Sequence, residues 1–163
     1  MTQPTPNVVS FPTPAKAEAS HVRIWGKPVV ALGYTALPSV LIQAQRRLGI
    51  TPLQFNILAQ LLDYWREPGR APFPSKAELA DRIGVKPKTI QTNIRALEKA
   101  KLVTREMRKT AVGDWNSNVY HLDGLVERIK ALVPEFEEAR EERKKAKAAQ
   151  KRAQTPKGQR PQP

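Results

Sequence analysis

Between Pro87 and Ala100 the sequence PKTIQTNIRALEKA sets two kinds of side chain at helical spacing. Ile90, Ile94 and Leu97 recur at i, i+4 and i+7, the apolar stripe of a surface helix. Lys88, Gln91, Thr92, Arg95 and Lys99 fall on the opposite stripe, and none of them is acidic. A face that only meets water usually mixes its signs. Ammonium, guanidinium, carboxamide and hydroxyl groups in one row do no covalent chemistry. They attract a polyanion and hydrogen-bond to it. The residues that would support catalysis do not assemble. His21 and His121 are the only histidines and form no HxxxH or HExxH pair, so no metal site is expected. Ser75 has no neighbouring base and reads as a helix cap rather than a nucleophile. Gly84 and Gly113 stand alone, so no glycine-rich phosphate loop is present. The reading is of a protein that is not an enzyme, with no cofactor and no small-molecule ligand.

The whole chain shares this bias. It has 28 Lys and Arg against 15 Asp and Glu, for a net charge of +13 and a pI near 10.3. Residues 21–133 alone hold 18 basic and 9 acidic side chains, so the excess is not confined to a tail. Such a balance favours nucleic acid first and an anionic membrane second. There is no cysteine, which removes disulfides and thiolate metal sites. No apolar run reaches the roughly 20 residues of a membrane span, and MTQPTPNVVSFPTPAKAEAS lacks the basic start and apolar core of a secretory signal. A soluble cytoplasmic protein is expected.

The elements that must position the stripe follow from punctuation and period. Residues 1–20, rich in Pro, Thr, Ser and Ala, predict a disordered arm, in which Val8-Val9-Ser10-Phe11 is the one apolar stretch. Residues 21–34 read as a short strand or ordered arm packed on the domain. A helix is predicted from Ala36 to Leu48, with Leu37, Val40, Leu41, Ala44 and Leu48 on one side and Gly49 as its stop. Thr51-Pro52 opens the next, whose broad apolar set runs from Leu53 to Trp65. Ser75 with Glu78 forms a capping-box pattern for a short helix ending at Gly84. After the helix begun by Pro87, LVTREMRK and NVYHL predict a β-hairpin about a turn containing Gly113-Asp114. Asp123 caps a last helix bearing Leu125, Ile129, Leu132 and Phe136, and Pro134 predicts a kink or a fresh start. The charged run 137–152 suits a solvated helix, and the end reads as a disordered tail. Trp25, Trp65 and Trp115 are read as packing residues, with stacking on DNA the alternative for Trp115.

Helix, short helix, tight turn, helix, hairpin: in this order SKAELADRIGVKPKTIQTNIRALEKAKLV, together with the hairpin after it, resembles the winged helix-turn-helix family. That family includes bacterial transcription regulators and the replication initiators of plasmids and phages. The likeness covers roughly residues 51–122. One departure is Lys86, which offers no oxygen where family members often have a capping Ser. Asp81 and Glu98 lie within the basic region and are expected at its margins.

The resemblance implies that the second helix of the pair enters the major groove and that the hairpin, the wing, touches flanking phosphates or the minor groove. Carried over by position, Thr89, Gln91, Thr92 and Arg95 become base readers. Arg can bond bidentately to guanine, Gln can bond to adenine, and Thr can offer its methyl to thymine. Lys76, Lys86, Lys88 and Lys99 suit phosphates, and Arg108 and Lys109 add wing contacts. The fold expected is mainly α: a winged helix-turn-helix with a two-stranded wing, a long charged C-terminal helix and disordered termini. Its segments are a disordered arm at 1–20, the domain with its helical extension at 21–133, a charged helix at 134–153 and a tail at 154–163. The function expected is sequence-specific binding of double-stranded DNA by a nucleoid-associated transcription regulator. A plasmid or phage replication initiator or partition factor is the alternative, and a protein-interaction module is the rival of another class. The Leu125–Phe136 seam is expected to pack in part on its own domain, and a homodimer is expected to which the 37–48 helix and the seam both contribute.

Overall fold

The structure is a computed structural model that describes residues 18–107 and 118–154, and the side chains as far as residue 150. The arm before residue 18, the wing turn with Gly113-Asp114 and Trp115, and the tail after residue 154 lie outside the described residues. The described residues up to Tyr34 make one compact unit and those from Thr35 a second.

In the first unit, where a short strand or an ordered arm was expected, there are two short helices. They are α1 (Ser20–Trp25) and α2 (Lys27–Ala31). Gly26 separates them at φ 81°, a conformation that glycine adopts without penalty. Pro28 near the start of α2 is preset for a helical first turn. The β-branched residues that signalled a strand are here in helices, where local turn chemistry outweighs a weak propensity. Trp25 is not a packing residue, because it is 66% exposed.

The second unit holds α3 (Ser39–Gln43), α4 (Gln45–Leu48), α5 (Pro52–Tyr64), α6 (Lys76–Ile83), α7 (Pro87–Lys99), β1 (Thr104–Glu106), β2 (Val119–His121) and α8 (Asp123–Gln154). The single helix predicted from Ala36 is shorter and divided. Pro38 disfavours helical backbone at the residue before it, which moves the start to Ser39. At Ala44 the backbone leaves the helical region (φ −92°, ψ 4°), and the Gln45 side chain donates to the Ile42 carbonyl across the break. The apolar face survives the division, for Leu41, Ala44 and Leu48 are all buried.

Helix α5 is the centre of the core. Thr51 caps it, with Gln54 completing a reciprocal capping box, and Ile57, Leu58 and Leu61 are fully buried. Leu79 of α6, Ile90, Ile94 and Leu97 of α7, and Tyr120 of β2 join the same cluster. The strands pair antiparallel with Arg105 opposite Tyr120. The Tyr120 N–H turns away from β1 and donates to the Pro72 carbonyl at 2.8 Å. Residues 71–74 (APFP) therefore lie where a third strand would.

Helix α8 runs unbroken from Asp123 to Gln154 with Pro134 inside it, so no fresh start occurs. Pro134 is exposed, so water can meet the carbonyl that its missing N–H leaves unpaired. At the other end Gly124 passes so close to the Lys101 carbonyl that a Cβ built there would stand 2.1 Å from the oxygen. The Leu125 N–H donates to Leu102 O at 3.0 Å beside it. The seam of α8 faces inward. Leu125 and Leu132 are buried, and Ile129 and Phe136 pack on the same cluster as Leu41, Ala44 and Leu48. Arg47 reinforces the contact, bonding Glu135 at 2.7 Å while lying 4.9 Å over the Phe136 ring. The two elements expected to contribute to a dimer pack on each other within the chain. No helix among the described residues is long and apolar enough to cross a membrane.

Candidate nucleic-acid interface

The position of α7 is set by its two ends. Ser75 and Glu78 close the capping box foreseen for α6, with both reciprocal bonds at 3.0 Å. Gly84 ends that helix at φ 77°, where any other residue would cost about 1–2 kcal/mol. The Val85 N–H reaches back to Ala80 O at 3.0 Å, the six-to-one bond of a Schellman ending. Lys86 then caps α7 with no side-chain bond, and Pro87 supplies a preset first turn. At the far end Leu102 N–H bonds Leu97 O at 3.0 Å through Lys101, which holds a left-handed φ of 56° without being glycine. The chain thus turns sharply out of α7 into β1.

Between these ends the burial of α7 is one-sided. Ile90, Ile94 and Leu97 are at most 1% exposed, while Lys88, Thr92, Arg95, Ala96 and Lys99 are exposed. At 100° per residue Lys88, Thr92, Arg95 and Lys99 fall in one stripe directly opposite the buried one. Lys86, Lys88, Arg95 and Lys99 enter no ion pair among the described residues. Their charges face solvent uncompensated.

The expected site residues divide accordingly. Thr92 and Arg95 stand on the open stripe, with Lys88 and Lys99 flanking them and Lys86 exposed at the helix start. Thr89 and Gln91 are half-buried on its shoulders. Lys76, the first residue of α6, is also half-buried. Arg108 and Lys109 lie outside the described residues. The acids stay clear of the stripe's centre, for Glu98 is turned to Arg105 of β1 at 3.2 Å and Asp81 sits on α6. Ala96 was not foreseen as a site residue. Its signal in the sequence was its place one turn after Thr92 on the outer side.

A polar network that sequence reasoning missed fixes α6 to α5. Arg82 bonds Asp63 at 3.1 Å and Gln60 at 3.3 Å, and its guanidinium lies 4.4 Å over the Tyr64 ring. Thr35 donates to the other Asp63 oxygen at 2.6 Å, and the Tyr64 hydroxyl bonds Glu78 at 3.2 Å. The Thr35 hydroxyl and then Arg82 hold the Asp63 carboxyl below its ordinary range, against the opposing push of burial. The Ser75 N–H, with Tyr64 second, holds Glu78 below its own. These groups pair with one another, which makes them a brace rather than reactive chemistry. No group of three potential metal ligands occurs among the described residues.

Comparison with known proteins agrees with this geometry. Residues 48–103 match the family model of a helix-turn-helix domain. A search of curated proteins finds no significant match. Among solved structures, the N-terminal domain of DnaD from Geobacillus kaustophilus HTA426 superposes with a TM-score of 0.51 at 22% identity. The superposition covers 77% of this chain and 98% of that one, and it establishes a shared fold. Looser likenesses are a possible transcriptional regulator from Methanosarcina mazei Go1 and S. aureus MepR in complex with DNA. The first has a TM-score of 0.42 at 16% identity, over 66% of this chain and 86% of that one. The second has 0.40 at 21%, over 71% and 90%. The match is to residues 48–103, and the described part of the second unit is mainly helical with a two-stranded antiparallel hairpin directly after α7.

Proposed function

We propose that this protein binds double-stranded DNA by sequence, through α7, and acts as a transcription regulator. The observation that carries the reading is the stripe Lys88, Thr92, Arg95 and Lys99, exposed and free of acid, on a helix whose opposite stripe is wholly buried. A helix so mounted fits the major groove, which admits one α-helix. Arg95 and Thr92 face base edges, with Gln91 and Thr89 reaching in from the shoulders. Lys86, Lys88, Lys99 and Lys76 take phosphates, as do Arg108 and Lys109 on the wing.

The test is equilibrium binding to a duplex selected from random DNA, against scrambled duplex, over a salt series. A DNA reader loses affinity steeply with salt yet keeps its preference for the selected duplex. Equal binding to both duplexes overturns the reading. Sites that overlap promoters support a regulator, whereas sites repeated in a replication origin shift the role to initiation.

The working form is a homodimer on paired half-sites, since one small module contacts few bases. With the seam of α8 occupied within the chain, the apolar groups left on α3 and α8 are Ile42 and Val133, 47% and 37% exposed. Light scattering is expected to give a dimer that becomes monomeric on joint Ile42→Glu and Val133→Glu substitution. A monomer mass for the unaltered protein removes this part of the proposal.

A further inference from the structure

Thr92 and Ala96 stand one turn apart on the exposed side of α7, between Lys88 and Lys99. The other exposed residues of this stripe are all cations, so the two small side chains form an apolar gap in a basic row. Thr92 bears both a hydroxyl and a methyl on Cβ. Its hydroxyl donates to the Lys88 carbonyl oxygen at 3.1 Å, one turn back along the helix. A helical threonine commonly satisfies its oxygen in this way. Because the substituents on Cβ are fixed tetrahedrally, turning the oxygen to the backbone leaves the methyl as the group presented outward. Ala96 has a methyl and nothing else. The two lie about 6 Å apart along the axis, close to two base-pair steps of about 3.4 Å.

We infer that Thr92 and Ala96 read the C5 methyl of pyrimidines in the major groove, so that the preferred site carries thymine at one position or at two positions two steps apart. The inference rests on the DNA-binding reading and deepens it. Among the groups that base pairs show in that groove, the C5 methyl of thymine is the apolar one. A 5-methylcytosine presents the same methyl, so the surface groups it with thymine and against cytosine. Thr92 acts through its methyl and not its hydroxyl, which is already bonded. Lys88 and Lys99 supply attraction and orientation around this apolar pair, beside the base-reading Arg95.

The test begins with the duplex that the full-length protein selects from random DNA. Each thymine in turn is replaced by deoxyuridine, which deletes only the methyl, and affinity is read by fluorescence anisotropy. The unaltered protein is expected to lose about fourfold at one thymine or at each of two thymines two steps apart. That factor is equivalent to about 0.8 kcal/mol, the worth of one buried methylene-sized group. Thr92→Ser keeps the hydroxyl and deletes the methyl, so it becomes indifferent to uracil at one of those positions. Thr92→Val keeps a methyl and loses the hydroxyl, and it retains the sensitivity. Placing 5-methylcytosine where an unmethylated cytosine has replaced the sensitive thymine recovers a similar factor. A selected duplex indifferent to uracil at every thymine overturns this inference and leaves DNA binding standing. So does a Thr92→Val variant that loses discrimination while Thr92→Ser keeps it. Failure to select any preferred duplex overturns the DNA-binding reading and this inference with it.

Discussion

Replacing Gly124 by alanine puts the smallest possible side chain where the backbone of α8 passes closest to the Lys101 carbonyl. The new Cβ would lie 2.1 Å from the Lys101 carbonyl oxygen and 3.1 Å from its carbon. Carbon and oxygen without a bond between them do not come that close, so α8 or the Lys101 turn must retreat by about 1 Å. Neither yields easily. Lys101 is held at φ 56° by the ending of α7, and α8 is pinned by the Leu125 N–H bond to Leu102 O. Overpacking of this kind costs about 1–3 kcal/mol, and loss of the adjacent bond adds about 1 kcal/mol. Alanine's higher helix propensity returns at most about 1 kcal/mol. The net expectation is a destabilisation of about 1–3 kcal/mol, read as a shifted midpoint in urea unfolding followed by circular dichroism. Gly49→Ala and Gly84→Ala are informative companions. Both sites have positive φ but nothing within 4 Å of the added Cβ, so they report backbone strain alone, about 1–2 kcal/mol. A Gly124→Ala protein as stable as the unaltered one refutes the argument, because relief of the clash would then cost nothing. DNA affinity measured on the folded fraction should not change, since Gly124 lies outside the α7 stripe.

At the interface, Arg95→Ala is expected to lower affinity for the selected duplex by about 1–3 kcal/mol and to relax preference at one base pair. An unchanged site preference in competition assays removes Arg95 from the base readers. Removal of residues 140–163, which carry nine basic and two acidic side chains, should weaken binding to all duplexes alike and flatten the salt dependence. Loss of discrimination between sites would mean that the tail does more than attract phosphate. Asp63 titrates below its ordinary value in the folded protein, so its stabilising effect is complete above the unfolded value near about 4 and is lost as pH falls through the folded one. Thermal melts from pH 6 to pH 3 should therefore show a smaller acid-induced fall for Asp63→Asn than for the unaltered protein, and an equal fall sinks the assignment.

The helix-turn-helix was legible because each of its signals is local. The i, i+4, i+7 spacing of Ile90, Ile94 and Leu97, the Ser75–Glu78 box and the glycine at 84 each act within a turn or two of the chain, and all appear in the structure. The order of helices and hairpin followed from the same cues. What escaped depends on partners remote in sequence or on weak preferences in competition. Arg82 reads as one more surface cation until Asp63, 19 residues earlier, is placed against it. The helices at 20–31 were hidden by β-branched residues, and the break at Ala44 by an apolar spacing that continues straight across it. Of the two outcomes expected at Pro134, a kink or a fresh start, the unbroken run of α8 removes the fresh start. On α7 the sequence told which residues are polar. Only burial separated Thr92 and Arg95 on the open stripe from Thr89 and Gln91 on its shoulders. Only a hydrogen bond showed that the Thr92 hydroxyl is already engaged by the backbone.

The segment APFP beside β2 has a consequence for how this protein behaves at high concentration. Any small sheet exposes two rows of unpaired amide groups, and each is a template on which a strand from another molecule can grow. Here the side next to β2 is occupied by a stretch with proline at two of its four positions, Pro72 and Pro74. It accepts the Tyr120 bond but has no N–H at those positions to pass the ladder on. The opposite side is β1, three residues long, with the charged pair Arg105 and Glu106. Among the described residues neither rim offers a regular ladder of more than a residue or two. Growth of the sheet is opposed by missing donors on one side and by shortness and charge on the other, which disfavours edge-to-edge association of molecules held at high local concentration.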